Sequence, residues 1–586
     1  MDEIRQNGIG VSPGAAVAGA FVYRPAALAT PKWTIPEDAA DAEWMRLMAA
    51  HDATRRQLQK ILDSITLESA GGEGSIIEAH LMALDDEAFA EDLRAEIYGE
   101  HRNAEWAVGN VSSKYVKMLR ASHNEYLSER AGDILDVARR VLRFLMGVGE
   151  ANPFSFAGRR IVVAEDLTPS EALALPRDRV AGVALDRGSL TSHAALLVRA
   201  IGIPAVFGLG DFSKRVADGC TIAIDGNGGL AVASPNVGEE ARFARIAAER
   251  AAFAEEVRAR AAGKAVSPDG VEFSCLSNIE DEKGVEETLS SGGEGVGLFR
   301  TEYLWLAEGR PVDEERQIRS YAAAAKALGD RPLAIRAFDL GGDKFRGDAS
   351  LGRREENPFL GMRSIRFLLD NEQLFRVQIR AVLRAGAAVG RPLDFTIPMV
   401  SDVNELVTAR RLVEECFELL RAAGEPCVMP RIGAMVEVPS AALSARTLAH
   451  RCDYFSLGTN DLTQYTLAVD RCNADTVRFY QPFHPAVLKL VKMSVDAAHD
   501  AKIGIAACGE LAGTPLGAIV FAGLGVRTLS MAPAAIPLVK ETVRRVPVAE
   551  AERIAALAAE ASTAAQIRHL ARKILSRFAP EILRQC

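Results

Sequence analysis

The sequence has no excess of positive charge and no long apolar run. Lys and Arg number 69 against 78 Asp and Glu, which gives a net charge of −9. A nucleic-acid-binding protein needs a basic face, so this balance argues against that class, while it leaves room for a basic protein partner. No apolar stretch approaches the ~18–20 residues that cross a bilayer. We therefore expect neither nucleic-acid binding nor membrane insertion.

The sequence also lacks the cysteine patterns of disulfide-rich and zinc-binding proteins. Its 8 cysteines are scattered, and no CxxC pair occurs among them. In a chain of 586 residues this pattern favours a reducing cytosol over a disulfide framework or a zinc site. Residues 1–4 do not begin the basic and then apolar pattern of a signal peptide, so a cytoplasmic location is expected.

A chain of this length is too long to fold around a single hydrophobic core. Its N-terminal part predicts an α/β domain with a helical insertion. The first 25 residues are rich in Gly, Val and Ala and predict one or two short strands. From 37 to 148 apolar residues recur at helical spacing. Strand-like runs follow at 160–164, 180–185 and 221–224. We predict an α/β domain of residues 1–36 and 146–235, with a helical subdomain at 37–145.

The C-terminal part predicts a barrel that follows a linker. Residues 238–262 form an unbroken Ala-, Glu- and Arg-rich segment, which predicts a linker helix within 236–269. In the domain predicted at 270–586, strand-like runs alternate with helical patterns. The strand candidates are 271–276, 295–299, 333–337, 394–399, 432–436, 454–457, 503–507 and 526–530. Eight strands separated by helices are typical of a (β/α)₈ TIM barrel, and a doubly wound sheet is the alternative.

Polar side chains follow six of the eight predicted strands, at the ends where a barrel carries its chemistry. They are Asn278, Arg300, Arg336, Glu437, Asn460 with Asp461, and Cys508. One such residue would be unremarkable, because surface strands often end in polar residues. Six strand ends that carry arginines, carboxylates, an amide and a thiol predict a single pocket with both basic and acidic groups.

This set of side chains suits phosphoryl transfer with a metal ion. Arg300, Arg336 and Arg471 supply forked donors for the equatorial oxygens of a phosphoryl group. Glu437 and Asp461 supply the carboxylates that a bridging divalent cation needs. Arg363 would add one more guanidinium, although a surface ion pair is an equally good interpretation of that residue.

Cys508 follows the seventh predicted strand. A lone cysteine is most often a small buried hydrophobe. At a strand end that faces a pocket, an acid/base role is favoured instead, in which the thiol donates a proton to a carbanion or enolate.

A second reactive group, His193, lies far from these residues in the sequence. The segment 191–199 opens a helix after the strand predicted at 180–185. The N–H donors and hydroxyls at such a helix start can hold a phosphoryl group, and neutral imidazole is a competent nucleophile towards phosphorus. A lone histidine more commonly caps or packs, so the barrel pocket is what favours a catalytic interpretation of His193.

These motifs together resemble enzyme I of the phosphoenolpyruvate:sugar phosphotransferase system. The most informative is SLGTNDLTQYTLAVDR at 456–471, and the resemblance covers essentially the whole chain, including the order of domains. Several motifs are shared with pyruvate phosphate dikinase and phosphoenolpyruvate synthase. Those enzymes carry a nucleotide-binding domain for which this chain has no room. The other matching motifs are 191–193, 202–206, 295–302, 339–344, 356–361, 435–437 and 508–513.

The resemblance implies a function and a role for each site residue. It implies that His193 becomes a phosphohistidine through Nε2 and that Cys508 protonates the pyruvate enolate. Magnesium would be held by Glu437 and Asp461, and phosphoenolpyruvate would be bound by Arg300, Arg336, Asn460, Asp461 and Arg471.

The same resemblance implies two protein partners. The helical subdomain would dock the phosphocarrier HPr or a homologue, whose histidine accepts the phosphoryl group in the first step of sugar transport by the phosphotransferase system. The barrel would form a homodimer.

Two positions depart from the family pattern, and two other functions stay open. Ser189 and Cys472 stand where the family usually has glycine, and Ser resists backbone angles that Gly permits. Neither change removes a reactive group. One alternative function is a dikinase-like or synthase-like enzyme with a separate nucleotide-binding subunit. The other is a regulatory phosphoprotein that senses the ratio of phosphoenolpyruvate to pyruvate.

Overall fold

The computed structural model describes residues 3–24, 30–68, 73–121, 125–147, 154–188, 193–308, 311–341, 357–471 and 476–584. The chain divides into two compact units, which we call the N-terminal unit (Met1–Ala251) and the barrel unit (Ala252–Cys586). Across the described ranges, we find no helix whose length and apolar content would let it cross a membrane.

The N-terminal unit contains a mixed sheet, whose described strands number eight. The sheet order is β1-β8-β7-β3-β4-β5-β6-β2, and the pairs β3–β4, β4–β5 and β5–β6 are parallel. The three strands predicted between 160 and 224 are confirmed. The strands are β1 (Ile4–Asn7), β2 (Ile9–Ser12), β3 (Ala15–Tyr23), β4 (Arg160–Ala164), β5 (Val180–Leu185), β6 (Ala205–Phe207), β7 (Thr221–Asp225) and β8 (Leu230–Ala233).

The helical segment predicted after the first strands is present and has a core of its own. Leu47, Leu58, Ile77, Val108 and Val141 are buried together between its helices, which bury the apolar stripe that their spacing predicts. The helices of this unit are α1 (Ala40–Glu68), α2 (Glu73–Leu84), α3 (Glu87–Arg94), α4 (Ala104–Ala121), α5 (Glu125–Leu145), α6 (Pro169–Leu173), α7 (His193–Ile201) and α8 (Phe212–Arg215), followed by α9 (Val237–Ala259), which continues into the barrel unit.

The barrel unit contains eight parallel strands in a closed ring, preceded by a short strand β9 (Ala265–Val266). The first barrel strand pairs in parallel with the second and with the last, which closes the ring. The barrel prediction is therefore confirmed, and the doubly wound sheet was wrong. The strands are β10 (Glu272–Ile279), β11 (Val296–Arg300), β12 (Leu333–Arg336), β13 (Asp394–Ile397), β14 (Arg431–Val436), β15 (Tyr454–Leu457), β16 (Gly504–Ala507) and β17 (Thr528–Met531).

Helices cover the barrel and are fixed by local sequence signals. The helix at 403–422 starts with a capping box between Asp402 and Glu405, and the one at 564–578 starts with one between Thr563 and Gln566. The helices of this unit are α10 (Gly284–Ser290), α11 (Glu302–Glu308), α12 (Glu314–Leu328), α13 (Ile365–Asp370), α14 (Glu372–Val389), α15 (Val403–Ala422), α16 (Pro439–Leu443), α17 (Ala445–Ala449), α18 (Thr459–Leu467), α19 (Pro485–Ala501), α20 (Pro515–Leu524), α21 (Ile536–Arg545), α22 (Val548–Glu560), α23 (Ala564–Phe578) and α24 (Pro580–Leu583).

Two glycines flank Tyr454 in the barrel and give a matched test of its packing. Gly433 on β14 and Gly504 on β16 are the register partners of Tyr454 on β15. A Cβ added at Gly433 would lie 2.2 Å from a ring carbon of Tyr454, whereas the nearest atom at Gly504 is Tyr454 Cβ at 3.7 Å. The ring cannot retreat freely, because its hydroxyl is hydrogen-bonded to Thr396 Oγ1 at 2.7 Å.

We expect Gly433→Ala to lower the free energy of unfolding of the barrel by about 1–3 kcal/mol, the usual cost of overpacking. Gly504→Ala, whose added methyl group meets only ordinary contacts, is expected to change it by less than ~1 kcal/mol and in the stabilising direction. Calorimetric melting of both variants checks this expectation. Equal losses at the two positions would contradict the packing of Tyr454 described above.

Candidate active site

The carboxyl ends of the barrel strands bring the predicted pocket residues together. Arg300 and Arg336 are the last residues of β11 and β12, and Glu437 and Cys508 directly follow β14 and β16. Asn460 and Asp461 lie in the first turn of α18, directly after β15. Because all eight strands run in parallel, these groups share one mouth of the barrel.

Arg336 is a buried cation among carboxylates. Its Nη2 donates to Glu302 Oε1 in an ion pair and lies 3.5 Å from Asp339 Oδ2. Burial acts against the charge, but the carboxylates of Glu302, Asp339 and Glu437 outweigh it, so the pKa of the guanidinium is raised. Its Nε is buried and has no hydrogen-bond partner in the described part of the chain. This donor is placed to bind an anion.

Arg363 belongs to the same pocket and is not a surface residue. It is 4% exposed, and its Nη2 lies 3.0 Å from Asp339 Oδ2 and 3.9 Å from Asp461 Oδ2. Its Nη1 donates to the hydroxyl of Tyr465 at 3.4 Å. The interpretation as a surface ion pair was therefore wrong, and Arg363 is a fixed part of the charge network around Asp461.

Glu437 and Asp461 form a pair of buried carboxylates. Glu437 Oε1 accepts a hydrogen bond from the backbone N–H of Met399 at 2.6 Å, and Met399 holds a left-handed conformation with φ of 53°. Burial, and then the charge of Asp461, raise the pKa of Glu437 to about 8. Asp461 Oδ1 is buried and has no hydrogen-bond partner among the described residues.

This pair fits a hard divalent cation. Two buried carboxylates close together repel each other when both are charged, so a bound cation would stabilise them, and Asp461 Oδ1 accepts no hydrogen bond from the described residues. Mg²⁺ often binds through one or two carboxylates and completes its shell with water and substrate phosphate oxygens. Within the described ranges, no three His, Cys, Asp or Glu side chains group into a metal cluster. The carboxylates of Glu437 and Asp461 are the buried groups of this mouth that fit such an ion.

Asn460, Arg471 and Glu510 line the rim of the mouth. Asn460 Nδ2 donates to Glu510 Oε1 at 2.9 Å, and the backbone N–H of Glu510 donates to Asn460 Oδ1 at 3.1 Å. Arg471 Nη2 lies 3.7 Å from Asp461 Oδ1, and its Nη1 lies 3.9 Å from Glu510 Oε1. The Arg471 side chain is 31% exposed, so its guanidinium lies at the solvent-facing edge of the mouth.

Cys508 is both a buried side chain and a potential acid. It is 4% exposed and packs with Leu298 and Met435 inside the barrel. Ser456 Oγ donates to its sulfur at 3.2 Å, and the thiol donates to the carbonyl oxygen of Leu457 at 3.4 Å. Burial raises the pKa of the Cys508 thiol, so the sulfur carries a proton at neutral pH, as a proton donor must.

Arg300 has a carboxylate neighbour that the sequence did not suggest. Its Nη1 lies 3.6 Å from Glu280 Oε1, and Glu280 directly follows β10. Burial raises the pKa of Glu280, although Arg300 opposes that effect. The sequence could have indicated Glu280 as a pocket residue, because it follows the first barrel strand two residues after Asn278.

His193 is the first residue of α7, in the N-terminal unit. The prediction that this segment opens a helix is confirmed, and the catalytic role of His193 stays a prediction. Gly188 precedes the segment with φ of 107°, a conformation that favours glycine. Ser189 and Cys472, the two departures from the family pattern, lie outside the described residues, as does the motif segment 342–356.

Three family models of phosphoenolpyruvate-utilising enzymes match this chain. The N-terminal model matches residues 7–130, the mobile-domain model matches 156–229, and the phosphoenolpyruvate-binding model matches 254–548. The last of these spans the barrel strands and all the pocket residues described above.

Curated proteins match nearly the full length. The chain is 36% identical over 546 residues to the phosphoenolpyruvate-protein phosphotransferase of Priestia megaterium, covering 93% of this chain and 94% of that protein. It is 38% identical over 572 residues to the multiphosphoryl transfer protein of Rhodobacter capsulatus, covering 96% and 67%. A solution structure described as enzyme I (nEIt) matches with 31% identity and a TM-score of 0.36, over 42% of this chain and 98% of that one.

The closed barrel, its charged mouth and the matching family models define a phosphoenolpyruvate-utilising enzyme. Enzymes of this class use a divalent metal, which agrees with the carboxylate pair. On its identity to curated relatives over nearly the whole length, the chain belongs to the phosphoenolpyruvate-protein phosphotransferases, the enzyme I family of the phosphotransferase system. This family carries out the first step of that system, the transfer of a phosphoryl group from phosphoenolpyruvate to protein.

Proposed function

We propose that this chain phosphorylates itself on His193 with phosphoenolpyruvate bound at the barrel mouth, and then passes the phosphoryl group to a histidine of the phosphocarrier HPr. The observation that carries the proposal is the cluster at the mouth. There the guanidiniums of Arg336, Arg363 and Arg471 surround the buried carboxylates of Glu437 and Asp461. Such a site suits a substrate that carries both phosphate and carboxylate groups.

In the first half-reaction, the lone pair of His193 Nε2 attacks phosphorus while the bond from phosphorus to the enol oxygen breaks. The electron pair of that bond leaves with the enolate of pyruvate. Arg300, Arg336 and Arg471 neutralise the charge spread over the equatorial phosphate oxygens, and Asn460 orients the substrate. These donors lower the barrier because they are already positioned before substrate arrives.

The enolate is then protonated. The thiol proton of Cys508 moves to C3 of the enolate, the C2–C3 π pair forms the new C–H bond, and the enol oxygen becomes the ketone of pyruvate. The thiolate regains its proton from solvent. The raised pKa of Cys508 supports this role, because a thiol that ionised at neutral pH would hold no proton to give.

Glu437 and Asp461 would hold Mg²⁺. When bound, the ion would neutralise these two carboxylates and supply Lewis-acid stabilisation of the phosphate and enolate oxygens. Asp461 Oδ1, which accepts no hydrogen bond from the described residues, and the raised pKa of Glu437 support this assignment.

One histidine must meet both the barrel and a protein partner, so the proposal includes a large domain movement. The domain boundaries drawn from the sequence, 1–36 with 146–235, 37–145, 236–269 and 270–586, stay proposals. The segments around 145–160 and 234–270 are the proposed hinges. The second contains α9, of which the N-terminal part belongs to one compact unit and the rest to the other.

The helical subdomain is the proposed docking site for HPr or a homologue. Acidic residues around the start of α3 were candidates for meeting a basic carrier. Two of them have structural partners: Asp86 caps α3 by accepting from the N–H of Phe89 at 2.8 Å, and Asp85 forms an ion pair with Arg55. The remaining candidates on α3, Glu87 and Glu91, are the ones we propose to test by charge reversal.

Two further parts of the proposal concern assembly and location. We retain homodimerisation through the barrel, whose exposed apolar side chains Leu360, Leu443 and Met493 such an interface would cover. We also retain a cytoplasmic location, because Cys508 must stay a reduced thiol to donate its proton.

The proposal is tested by the intact mass of the protein after incubation with phosphoenolpyruvate and Mg²⁺. We expect the mass of one acid-labile phosphoryl group, located on His193 by peptide mapping, with an equal amount of pyruvate released. Chelation of the metal with EDTA is expected to prevent the gain, and added Mg²⁺ to restore it. Purified HPr is then expected to remove the phosphoryl group.

No mass gain in properly folded protein would overturn the proposal. A gain that needed ATP and phosphate instead of phosphoenolpyruvate would favour a dikinase-like function. A phosphorylated protein that no carrier could dephosphorylate would favour the regulatory alternative.

A further inference from the structure

We propose that Asn278 is a positioning residue for the proton donor Cys508, held in its working orientation by Ser530. The inference rests on the proposed function, in which the thiol of Cys508 protonates the enolate. It goes beyond that function because Asn278 touches neither the sulfur nor any residue assigned to the substrate.

Asn278 links the first barrel strand to the segment that carries Cys508. Its Nδ2 donates to the backbone carbonyl oxygen of Cys508 at 3.0 Å, across 230 residues of sequence. Asn278 lies on β10, whereas Cys508 follows β16, and β17 stands between these two strands in the ring. The hydrogen bond therefore bridges over one strand and fixes the main chain at the thiol-bearing residue.

The Cys508 carbonyl sets which way the Asn278 amide points, and Ser530 on β17 supports that orientation. A carbonyl oxygen can only accept, so the amide must turn its NH₂ group towards the Cys508 carbonyl. The amide oxygen then faces Ser530, whose hydroxyl lies 2.6 Å from it and 2.9 Å from the carbonyl oxygen of Ser277, its other acceptor. The reverse amide orientation would place two carbonyl oxygens against each other at Cys508. Ser530 is fully buried and Asn278 is partly buried, so the two hydrogen bonds lie in a partly shielded place.

The other side of the Cys508 segment is already fixed by residues near the substrate. Asn460 and Glu510 bind each other through two hydrogen bonds. Gly509, between the two attachment points, packs so closely that an added Cβ would lie 1.9 Å from Thr459 Oγ1. The Cys508–Glu510 turn is thus held at both ends, and Asn278 is the anchor that lies away from the rim.

This anchor matters because the thiol has little freedom to correct its position. The sulfur must reach C3 of the enolate from its place between Ser456 and the Leu457 carbonyl. Proton transfer falls steeply when donor and acceptor atoms are misplaced by an ångström. Loss of the Asn278 hydrogen bond frees the carbonyl of Cys508 and lets the turn rotate. Arg300, Arg336 and Arg471, which are proposed to bind the phosphoryl group, belong to other segments and stay in place.

The test isolates the proton step from phosphoryl transfer. Unphosphorylated full-length enzyme with Mg²⁺ and pyruvate is placed in D₂O, and deuterium uptake into the pyruvate methyl group is followed by NMR. In this reaction the Cys508 thiolate takes a proton from C3, the C–H pair becomes the C2–C3 π bond of the enolate, and the exchanged thiol returns a deuteron. Asn278→Asp is the key variant, because it keeps the side-chain shape and the acceptor for Ser530 but loses the donor.

We expect Asn278→Asp to lower the exchange rate about tenfold, the size of one partly buried hydrogen bond converted into a rate. The KM for phosphoenolpyruvate in phosphorylation of the protein is expected to change less than about threefold, since none of the arginines proposed to bind the substrate is replaced. Ser530→Ala, which keeps the donor but frees the amide to rotate, is expected to give a smaller loss. Asn371→Asp is the matched control, because Asn371 Nδ2 also donates to a backbone carbonyl, that of Phe367 at 2.9 Å, at an exposed position outside the pocket.

Each outcome separates the inference from the proposed function. Exchange by Cys508→Ala at the wild-type rate would overturn Cys508 as the proton donor, and the role of Asn278 with it. If Cys508→Ala is inactive but Asn278→Asp and Ser530→Ala exchange like wild type, the function stands and the positioning role is wrong. If Asn278→Asp melts at a lower temperature than the wild type, the Ser530→Ala variant provides the test instead. In that variant, a fold decrease in the exchange rate no larger than the fold increase in KM would indicate a merely structural role.

Discussion

Replacing His193 by alanine is expected to leave the protein unable to gain a phosphoryl group from phosphoenolpyruvate, a loss of about 10⁴-fold or more in the rate of phosphorylation. The imidazole is the nucleophile in the proposed mechanism, and an alanine side chain cannot replace its lone pair. The effect should be complete because the transfer to HPr uses the same phosphorylated atom. Intact-mass measurement after incubation with phosphoenolpyruvate and Mg²⁺ checks this expectation.

The barrel chemistry should survive in the same variant. His193 lies in the N-terminal unit, whereas Cys508, Glu437 and Asp461 lie in the barrel unit. We therefore expect His193→Ala to exchange the methyl protons of pyruvate in D₂O at close to the wild-type rate. A loss of both activities would mean that the substitution disturbs the fold rather than the nucleophile.

A second histidine at a helix start serves as the matched control. His484 is the N-cap of α19, and its Nδ1 accepts from the backbone N–H of Ala486 at 3.2 Å. His484→Ala should weaken that cap and lower the melting temperature slightly, but leave phosphorylation intact. An acid-labile phosphoryl group on His193→Ala protein would show that another residue is the nucleophile.

The barrel could be predicted from the sequence because its strands carry a strong local signal. Runs such as β14 and β15 are apolar and continuous, as expected for parallel strands that are covered on both faces. All eight predicted barrel strands are present, with bounds that shift by at most a few residues. The strands β6 and β8, of three and four residues, were missed.

The polar groups at the strand ends could be predicted, but their partners could not. Position after a strand indicates that Arg336 or Glu437 reaches the mouth. It does not indicate that Arg363, from an irregular segment, would be buried against Asp339 and Asp461. That contact depends on how the chain returns to the barrel after β12, which local sequence does not encode.

The network around Cys508 shows the same limit. Asn278 was noted as a polar strand end, and Ser456 as part of a motif, but neither was linked to the thiol. Their hydrogen bonds join positions 230 and 52 residues apart in the chain. Such contacts follow from the order and register of strands in the closed ring, so they require the tertiary structure.

Replacing Arg336 by methionine is expected to lower both activity and stability strongly. Methionine has a similar length but no donors, so the site loses a buried guanidinium that is proposed to bind the phosphoryl group. We expect the kcat/KM for phosphorylation by phosphoenolpyruvate to fall by about 10³-fold, the usual loss when a preorganised donor to a transferring phosphoryl group is removed. Initial rates measured well below the melting temperature check this prediction.

The stability loss has a separate cause. Arg336 pairs with Glu302 and lies 3.5 Å from Asp339, and all three side chains are buried. Without the guanidinium Glu302 loses this ion pair, whereas Asp339 keeps its pair with Arg363. Removing one partner of a buried pair costs about 3–5 kcal/mol. Calorimetric melting of the barrel in the absence of substrate measures this loss.

A double variant separates the two effects. Replacing Glu302 by Gln in the Arg336→Met background removes one uncompensated charge, so part of the stability should return while activity stays low. Arg431→Met is the matched control: Arg431 forms a 2.7 Å ion pair with Asp394 at the start of its strand, and its side chain is 60% exposed. The Arg431 side of this pair is exposed although Asp394 is only 13% exposed, so we expect its loss to cost about 1 kcal/mol. The pair lies at the end of the barrel opposite the mouth. If Arg431→Met lost as much stability as Arg336→Met, or if the latter kept its activity, the buried clamp at Arg336 would not be the centre of this site.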